Sequence, residues 1–177
     1  MSYCITAKDH PWHGPYHDTE YGFPIADDNC LFERLVLEIN QAGLSWLTIL
    51  KKKRAFQNAF DDFHIHKVAA YGDTERNRLL SDAGIIRNRL KVAAVIDNAR
   101  RIQALQTSHG SFKAWLDAHH PLDKPAWVKL FKQTFKFTGG EITGEFLMST
   151  GYLPGAHDED CPVHGQIAAL KPPWMTV

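Results

Sequence analysis

The sequence predicts an all-α protein, and three observations carry that prediction. Apolar residues recur at helical spacing in one stretch after another. Gly and Pro fall largely between those stretches, and Ser, Thr, Asp or Asn stands at the start of several of them. No alternating run long enough for a strand appears.

Residues 1–26 are rich in aromatics, His, Pro and Gly without sustained periodicity, and read as an irregular arm. Asp27, Asp28 and Asn29 then offer N-caps to a helix whose Leu31, Phe32, Leu35, Val36, Ile39 and Ala42 share one face, with Gly43 as its C-cap. Ser45 caps a second helix carrying Trp46, Ile49, Leu50, Phe56 and Phe60, ending near Asp61. A short third helix is expected from Ile65 to Tyr71. Thr74 is placed to cap a helix through Leu79, Leu80 and Ala83. Gly84 interrupts it, and the periodicity resumes through Leu90, Val92, Val95, Ile96, Ala99 and Ile102. Further helices are expected from Ser111 to His119, Lys124 to Phe135 and Glu141 to Tyr152. Pro121, Pro125 and Pro154 punctuate them, and the tail beyond Cys161, with Pro162, Pro172 and Pro173, reads as irregular.

A length of 177 residues suits a single domain, 1–177, with irregular arms at 1–26 and 153–177. Lys plus Arg and Asp plus Glu balance at 20 each, so only local clustering can speak for nucleic acid. Three cysteines, an odd number, argue against a disulfide framework, and the start lacks the basic-then-apolar pattern of a secretory signal or membrane span. A soluble, cytoplasmic chain with no membrane partner is the expectation.

Two constellations invite chemistry. Cys4 and His17 near one end, with His157 and Cys161 near the other, are the two thiolates and two imidazoles of a closed tetrahedral zinc site. Spacing alone leaves this in competition with chance, since the chain holds 10 histidines. Neither the His-Glu-x-x-His nor the Pro-Cys-x-x-Cys pattern of catalytic zinc occurs. Around Gly84, the turn Asp82-Ala83-Gly84-Ile85-Ile86-Arg87 opens a helix beside Arg89 and Lys91, a geometry that can offer amides and cations to a phosphate. From that segment alone, an ordinary helix connection with a solvated basic start is the favoured reading. The cluster Lys51-Lys52-Lys53-Arg54 reads as a solvated helix face.

Glu38 falls about 20° from Leu31 on a wheel of about 100° per residue, at the margin of the apolar face. Either it reaches a pocket or it makes an exposed ion pair with Arg34 four residues earlier, and taken in isolation the ion pair is the expected outcome. Trp12, Tyr16, Tyr21 and Trp46 would suit stacking on a planar heterocycle whose edge a carboxylate accepts from, and would equally suit a core.

Several segments, in order and across most of the chain, resemble the 3-methyladenine DNA glycosylase I family of helix-hairpin-helix base-excision enzymes. They are Cys4; Tyr16-His17-Asp18 with Glu20, Gly22 and Pro24; Leu37-Glu38 and Gln41-Ala42-Gly43-Leu44-Ser45-Trp46; Asp82-Ala83-Gly84-Ile85-Ile86-Arg87 with Lys91, Asn98 and Ala99; Phe135-Lys136-Phe137; and His157 with Cys161.

The resemblance implies a helix-hairpin-helix glycosylase fold in which one structural zinc, on Cys4, His17, His157 and Cys161, joins the terminal arms. It implies that Gly84, Ile85, Ile86, Arg87 and Lys91 bind DNA, that Tyr16, Tyr21 and Trp46 bind the extruded base, and that Glu38 is the catalytic residue. The implied partner is double-stranded DNA carrying alkylated bases, and the implied state is a monomer. The implied reaction is hydrolytic removal of 3-methyladenine without a catalytic Asp after the hairpin. A damaged-DNA-binding protein with little excision is the alternative.

Some positions depart from the family's pattern. Thr6 and Tyr21 stand where it usually has Trp, and Trp12 is a candidate replacement ring. Thr138-Gly139-Gly140 and Ile142-Thr143-Gly144-Glu145 stand where it tends to show Thr, Tyr and Ser after a Phe-Val-Gly run. Pro154-Gly155-Ala156 replaces Val-Asn-Asp before the zinc histidine. A wider or more polar pocket is the expected result.

Overall fold

The computed structural model describes residues 1–176, and every regular element among them is helical. The order is α1 (Tyr3–Ala7), α2 (His13–Thr19), α3 (Asp28–Gln41), α4 (Trp46–Ala59), α5 (Ile65–Ala69), α6 (Asp73–Ser81), α7 (Arg89–His109), α8 (Phe112–His119), α9 (Lys124–Thr134), α10 (Gly140–Ser149) and α11 (Pro162–Ala169). Short 3-10 turns lie at Asp61–Phe63, between α4 and α5, and at Pro173–Met175, after α11. No helix among the described residues is long and apolar enough to cross a membrane.

N-cap side chains set five of the eleven starts. Asp27 Oδ1 accepts from the Cys30 amide at 3.0 Å and Ser45 Oγ from Thr48 at 3.2 Å. Asn88 Oδ1 accepts from Lys91, Ser111 Oγ from Ala114 and Asp123 Oδ1 from Ala126. Each such cap stabilises its helix by about 1 kcal/mol. Asp28, read as a cap of its own helix, instead reaches across to the amides of Phe112 and Lys113 and ties α8 to the start of α3.

The third helix is central, packing against α4, α5, α7, α8 and α10. It is buried on nearly every side from Leu31 to Asn40, Arg34 and Glu38 included. A helix enclosed all round has no solvent margin, so the wheel position of Glu38 lies inside the protein. Behind it, Phe112 stacks on Phe146 at 6.0 Å, and Trp127, Phe131 and Phe135 fill the space beneath α9. Each such ring or Leu, fully buried, contributes about 1.5–3 kcal/mol.

The arms correct the sequence reading. Residues 1–26 contain α1 and α2, and the tail contains α11. The two N-terminal helices are too short for periodicity and are held by packing: Tyr3 meets His13 edge-on at 5.5 Å and Tyr21 at 5.1 Å. His10 Nδ1 accepts from the amides of Trp12 and His13, opening α2. Pro162 sits in the first turn of α11, where a missing N–H costs nothing.

The helices flanking Gly84 form the expected hairpin with shifted ends. Gly72, not Thr74, precedes α6, and Glu75 accepts from its amide at 2.8 Å. Leu90, read as part of the apolar face of α7, is 72% exposed. Gly84 is needed for close packing: a Cβ there would stand 3.1 Å from the Cβ of Ala55 on α4.

Candidate active site and metal centre

The C-terminal half of α3 delivers Glu38 to the floor of a cavity of about 290 Å³. Tyr3 from α1, Tyr16 from α2, Tyr21, Trp46 at the start of α4, Gln41, and Glu141 and Glu145 from α10 line the rest. The ring of Tyr16 lies 5.2 Å from Trp46 and 5.7 Å from Tyr21. On its other side, the Arg34 guanidinium sits 5.1 Å above it, while Nη1 donates to Ser149 O at 2.9 Å. Arg34 also meets Glu20, to which Lys53 donates at 2.6 Å, so the ion pair expected between Arg34 and Glu38 does not form.

Glu38 is 4% exposed. Burial pushes its carboxyl up to about 8; the neighbouring Glu145 adds to the rise and Arg34 offsets part of it. The hydroxyl of Tyr16 and the indole N–H of Trp46 are buried with no hydrogen-bond partner among the described residues. Buried polar groups normally have partners, so these are on offer to a ligand with a polar edge. Rings on the walls and a carboxyl at the floor fit a flat, hydrogen-bonding heterocycle.

The structure brings Glu38, Tyr16, Tyr21 and Trp46 together and leaves Trp12 out, 45% exposed on the surface. Tyr3, Gln41, Glu141 and Glu145 complete the lining without having been singled out as site residues. Position 145 was marked only as a departure, and nothing local in the sequence signals that Tyr3 faces inward.

Cys4, His17, His157 and Cys161 also converge, their ligand atoms all within 4.8 Å of one another. His157 Nδ1 and His17 Nε2 are 3.0 Å apart, Cys4 Sγ and His157 Nδ1 3.7 Å, and Cys161 Sγ lies 3.7 and 3.8 Å from the two imidazole nitrogens. Tetrahedral bonds of about 2.0 Å to nitrogen and 2.3 Å to sulfur would set ligand atoms roughly 3.3 to 3.8 Å apart. The remaining ring nitrogens are partnered as metal-bound imidazoles require: His17 Nδ1 with Asp18 Oδ1 at 2.7 Å, and His157 Nε2 donating to Tyr21 O at 2.6 Å. The cluster is able to hold a metal ion. It also touches the pocket at three places, because Tyr3 adjoins Cys4, Tyr16 adjoins His17, and Tyr21 is bonded to His157.

At the hairpin, Arg87, Asn88 and Arg89 are exposed in a row. The N–H groups of Ile86 and Arg87 donate to no other described residue, while that of Gly84 is already spent on Asp82 Oδ1 at 2.8 Å. Ile85 is buried in the core and anchors the turn. Lys91 does not reach the surface its position suggested. Its ammonium turns inward, donating to Asn40 O at 2.9 Å and Ala42 O at 2.7 Å, which removes it from the residues facing outward. Lys52, read as a solvated residue, donates to Ala83 O and braces the turn from α4. Asn98 exchanges two hydrogen bonds with the backbone of Lys136, so the Phe135-Lys136-Phe137 segment is positioned by α7.

An all-helical scaffold with a ring-lined, carboxylate-floored pocket beside a cation-edged hairpin defines a protein shaped to take a flat, polar-edged ligand. The comparisons narrow the class. The family model for methyladenine glycosylase matches residues 6–133. The DNA-3-methyladenine glycosylase 1 of Escherichia coli K12 is 35% identical over 172 residues, covering 86% of this chain and 92% of that protein. The DNA-3-methyladenine glycosylase of Haemophilus influenzae is 32% identical over 177 residues, covering 86% and 95%. Among solved structures, the Y16F variant of a 3-methyladenine DNA glycosylase I in complex with 3-methyladenine matches with a TM-score of 0.81 at 33% identity, over 92% of this chain and 97% of that one. The chain belongs to the methyladenine glycosylase family, an enzyme family of glycosidases.

Proposed function

We propose that this chain is a monofunctional DNA glycosylase that extrudes 3-methyladenine from alkylated double-stranded DNA and hydrolyses its N-glycosidic bond. The observation that carries the reading is the pocket itself, a buried carboxyl beneath aromatic walls that hold two unpartnered polar groups. Methylation at N3 leaves the adenine positively charged and its bond to the sugar weakened. Departure as neutral methyladenine then needs modest help.

In this reading Tyr16, Tyr21 and Trp46 hold the base by stacking and edge contacts, and Glu38 accepts hydrogen bonds from the adenine edge. As the C1′–N9 bond breaks, its electron pair goes to the base. The cationic base favours loss of the Glu38 proton, and the carboxylate left behind stabilises the positive charge that passes to the sugar. Water adds at C1′ and a proton is released. The exposed Arg87 and Arg89 with the free amides of Ile86 and Arg87 hold the DNA backbone, and unstacking costs a few kcal/mol that these contacts and the stacking offset. The protein acts as a monomer in the cytoplasm.

The ion of the metal cluster is one zinc. Four protein ligands leave it no open position, so it supplies structure rather than Lewis-acid chemistry.

Single-turnover release of free methyladenine from methylated DNA tests the reading. Release is expected from the wild type and reduced about a hundredfold or more in Glu38→Gln. Tight binding of methylated DNA with release no faster than that of Glu38→Gln would overturn it in favour of a damaged-DNA-binding protein.

A further inference from the structure

The arginines of this chain divide into two groups. Five of the eight donate to a carbonyl or side-chain oxygen of the protein and so brace the fold. The other three, Arg76, Arg87 and Arg89, take part in no hydrogen bond or ion pair among the described residues, and all three lie at the hairpin or on the helices that flank it. Arg87 and Arg89 are exposed, as a solvated cation can be at little cost. Arg76 differs. It is half-buried in the middle of α6, and its Nε is fully enclosed without an acceptor.

A buried guanidinium N–H normally has a partner, so the vacant donor of Arg76 is a place for an anion. The surroundings fit one. Arg76 and Asn77 on α6 face Arg89 and Leu90 on α7 across a groove of about 390 Å³ that shares no lining residue with the base pocket. The one acid there, Asp73, lies in the first turn of α6, where it meets the positive end of that helix, and it pairs with neither arginine. Leu90, 72% exposed, adds an apolar edge between cations. A sugar–phosphate backbone alternates the same two characters, a charged phosphate and a largely apolar sugar ring.

We propose that the groove between α6 and α7 is a second phosphate site, in which Arg76 and Arg89 hold a backbone phosphate of the DNA separate from the one met by the hairpin amides and Arg87. The inference rests on the glycosylase reading for its ligand and goes beyond it, because it assigns a DNA contact to α6. A guanidinium stays charged and presents its donors as a planar fork matched to phosphate oxygens. Two forks from facing helices enclose one phosphate, and the side chain of Leu90 lies against the adjoining sugar. Phosphate contacts set position and register without reading sequence. A strand held at two separate points is fixed in direction as well as in place, which aligns the extruded nucleotide with the pocket.

The test uses unmodified duplex and fluorescence anisotropy over a range of salt concentrations, for the wild type, Arg76→Ala, Arg87→Ala and the double variant, with thermal melts to show that each is folded. Each phosphate contact adds about 0.9 to the slope of log affinity against log salt. Arg76→Ala should flatten the slope by about 1 and the double variant by about 2. A second series of duplexes carries a single neutral methylphosphonate linkage at successive positions. Binding by the wild type should weaken at two separate linkages, with the sensitivity lost at one of them in Arg76→Ala and at the other in Arg87→Ala. An unchanged slope in folded Arg76→Ala, a double variant no flatter than Arg87→Ala, or loss of sensitivity at the same linkage in both single variants overturns the proposal. None of these touches the glycosylase reading, which is decided by release of methyladenine from the wild type. A wild type that binds no duplex overturns both.

Discussion

The ammonium of Lys91 donates to the main-chain oxygen of Ala42 at 2.7 Å, and to that of Asn40 at 2.9 Å. Lys91 lies in the first turn of α7, just past the hairpin, and the two carbonyls close the C-terminal end of α3, one turn beyond Glu38. A cation there meets the negative end of the helix dipole and two otherwise unsatisfied acceptors. One side chain thus fastens the hairpin to the helix that floors the base pocket. Lys91→Met, of similar length, should destabilise the protein by about 2–4 kcal/mol in urea unfolding, since it leaves both carbonyls without their charged donor. A loss below about 0.5 kcal/mol would show that the contact contributes little.

Because Lys91 is turned inward, it and Arg87 should separate in DNA binding. Removing an exposed phosphate contact lowers the slope of log affinity against log salt by about 1, whereas removing an internal brace does not. Arg87→Ala is expected to flatten the salt dependence and Lys91→Met to leave the slope unchanged, both measured by fluorescence anisotropy on unmodified duplex. Equal slopes in the wild type and Arg87→Ala would remove Arg87 from the DNA contact.

Glu38 makes stability fall with rising pH. Its carboxyl titrates at about 8 in the folded protein, against an ordinary value of 4.5. The folded state therefore keeps a proton that the unfolded chain has already released. The favourable contribution is complete below 4.5 and is lost as pH rises through about 8. Glu38→Gln does not titrate, so its stability relative to the wild type should grow between pH 5 and 8.5, by on the order of 3–5 kcal/mol. Parallel thermal melts of the two proteins across that range check it, and a difference that stays flat would mean the carboxyl is not held protonated.

What the sequence disclosed follows from the range of the forces involved. The helices from α3 to α10 were legible because caps and apolar spacing are local: Asp27, Ser45 and Ser111 all cap as read. The terminal helices were not, because α1 and α2 owe their stability to rings meeting across the fold. In the pocket, Glu38 and Trp46 were visible from their motif. Tyr3 and Glu145 were not, since an inward direction is decided by the packing of α1 and α10 against α3 and α4. The misplacement of Lys91 has the same origin: a lysine beside two arginines looks like part of a basic patch until the carbonyls it reaches, about fifty positions away in sequence, are known.

The metal cluster links stability to the pocket, and one experiment reads both. His157 donates to Tyr21 O, and Tyr3 and Tyr16 each adjoin a ligand, so three of the four rings in the pocket are placed through the cluster. Elemental analysis should find one zinc per chain. Cys161→Ala removes one of four ligands from a site whose binding energy is largely folding energy, and should lower stability by more than about 3 kcal/mol with loss of the metal. Exhaustive chelation of the wild type should do the same, and readdition of zinc should restore it. The pocket supplies the second readout. In whatever fraction stays folded without metal, freed rings should raise KM for methylated DNA several-fold, because Tyr3, Tyr16 and Tyr21 no longer share a fixed arrangement. A metal-free protein with full thermal stability would contradict the structural role. One that loses stability but keeps its KM would confine the cluster to joining the ends of the chain.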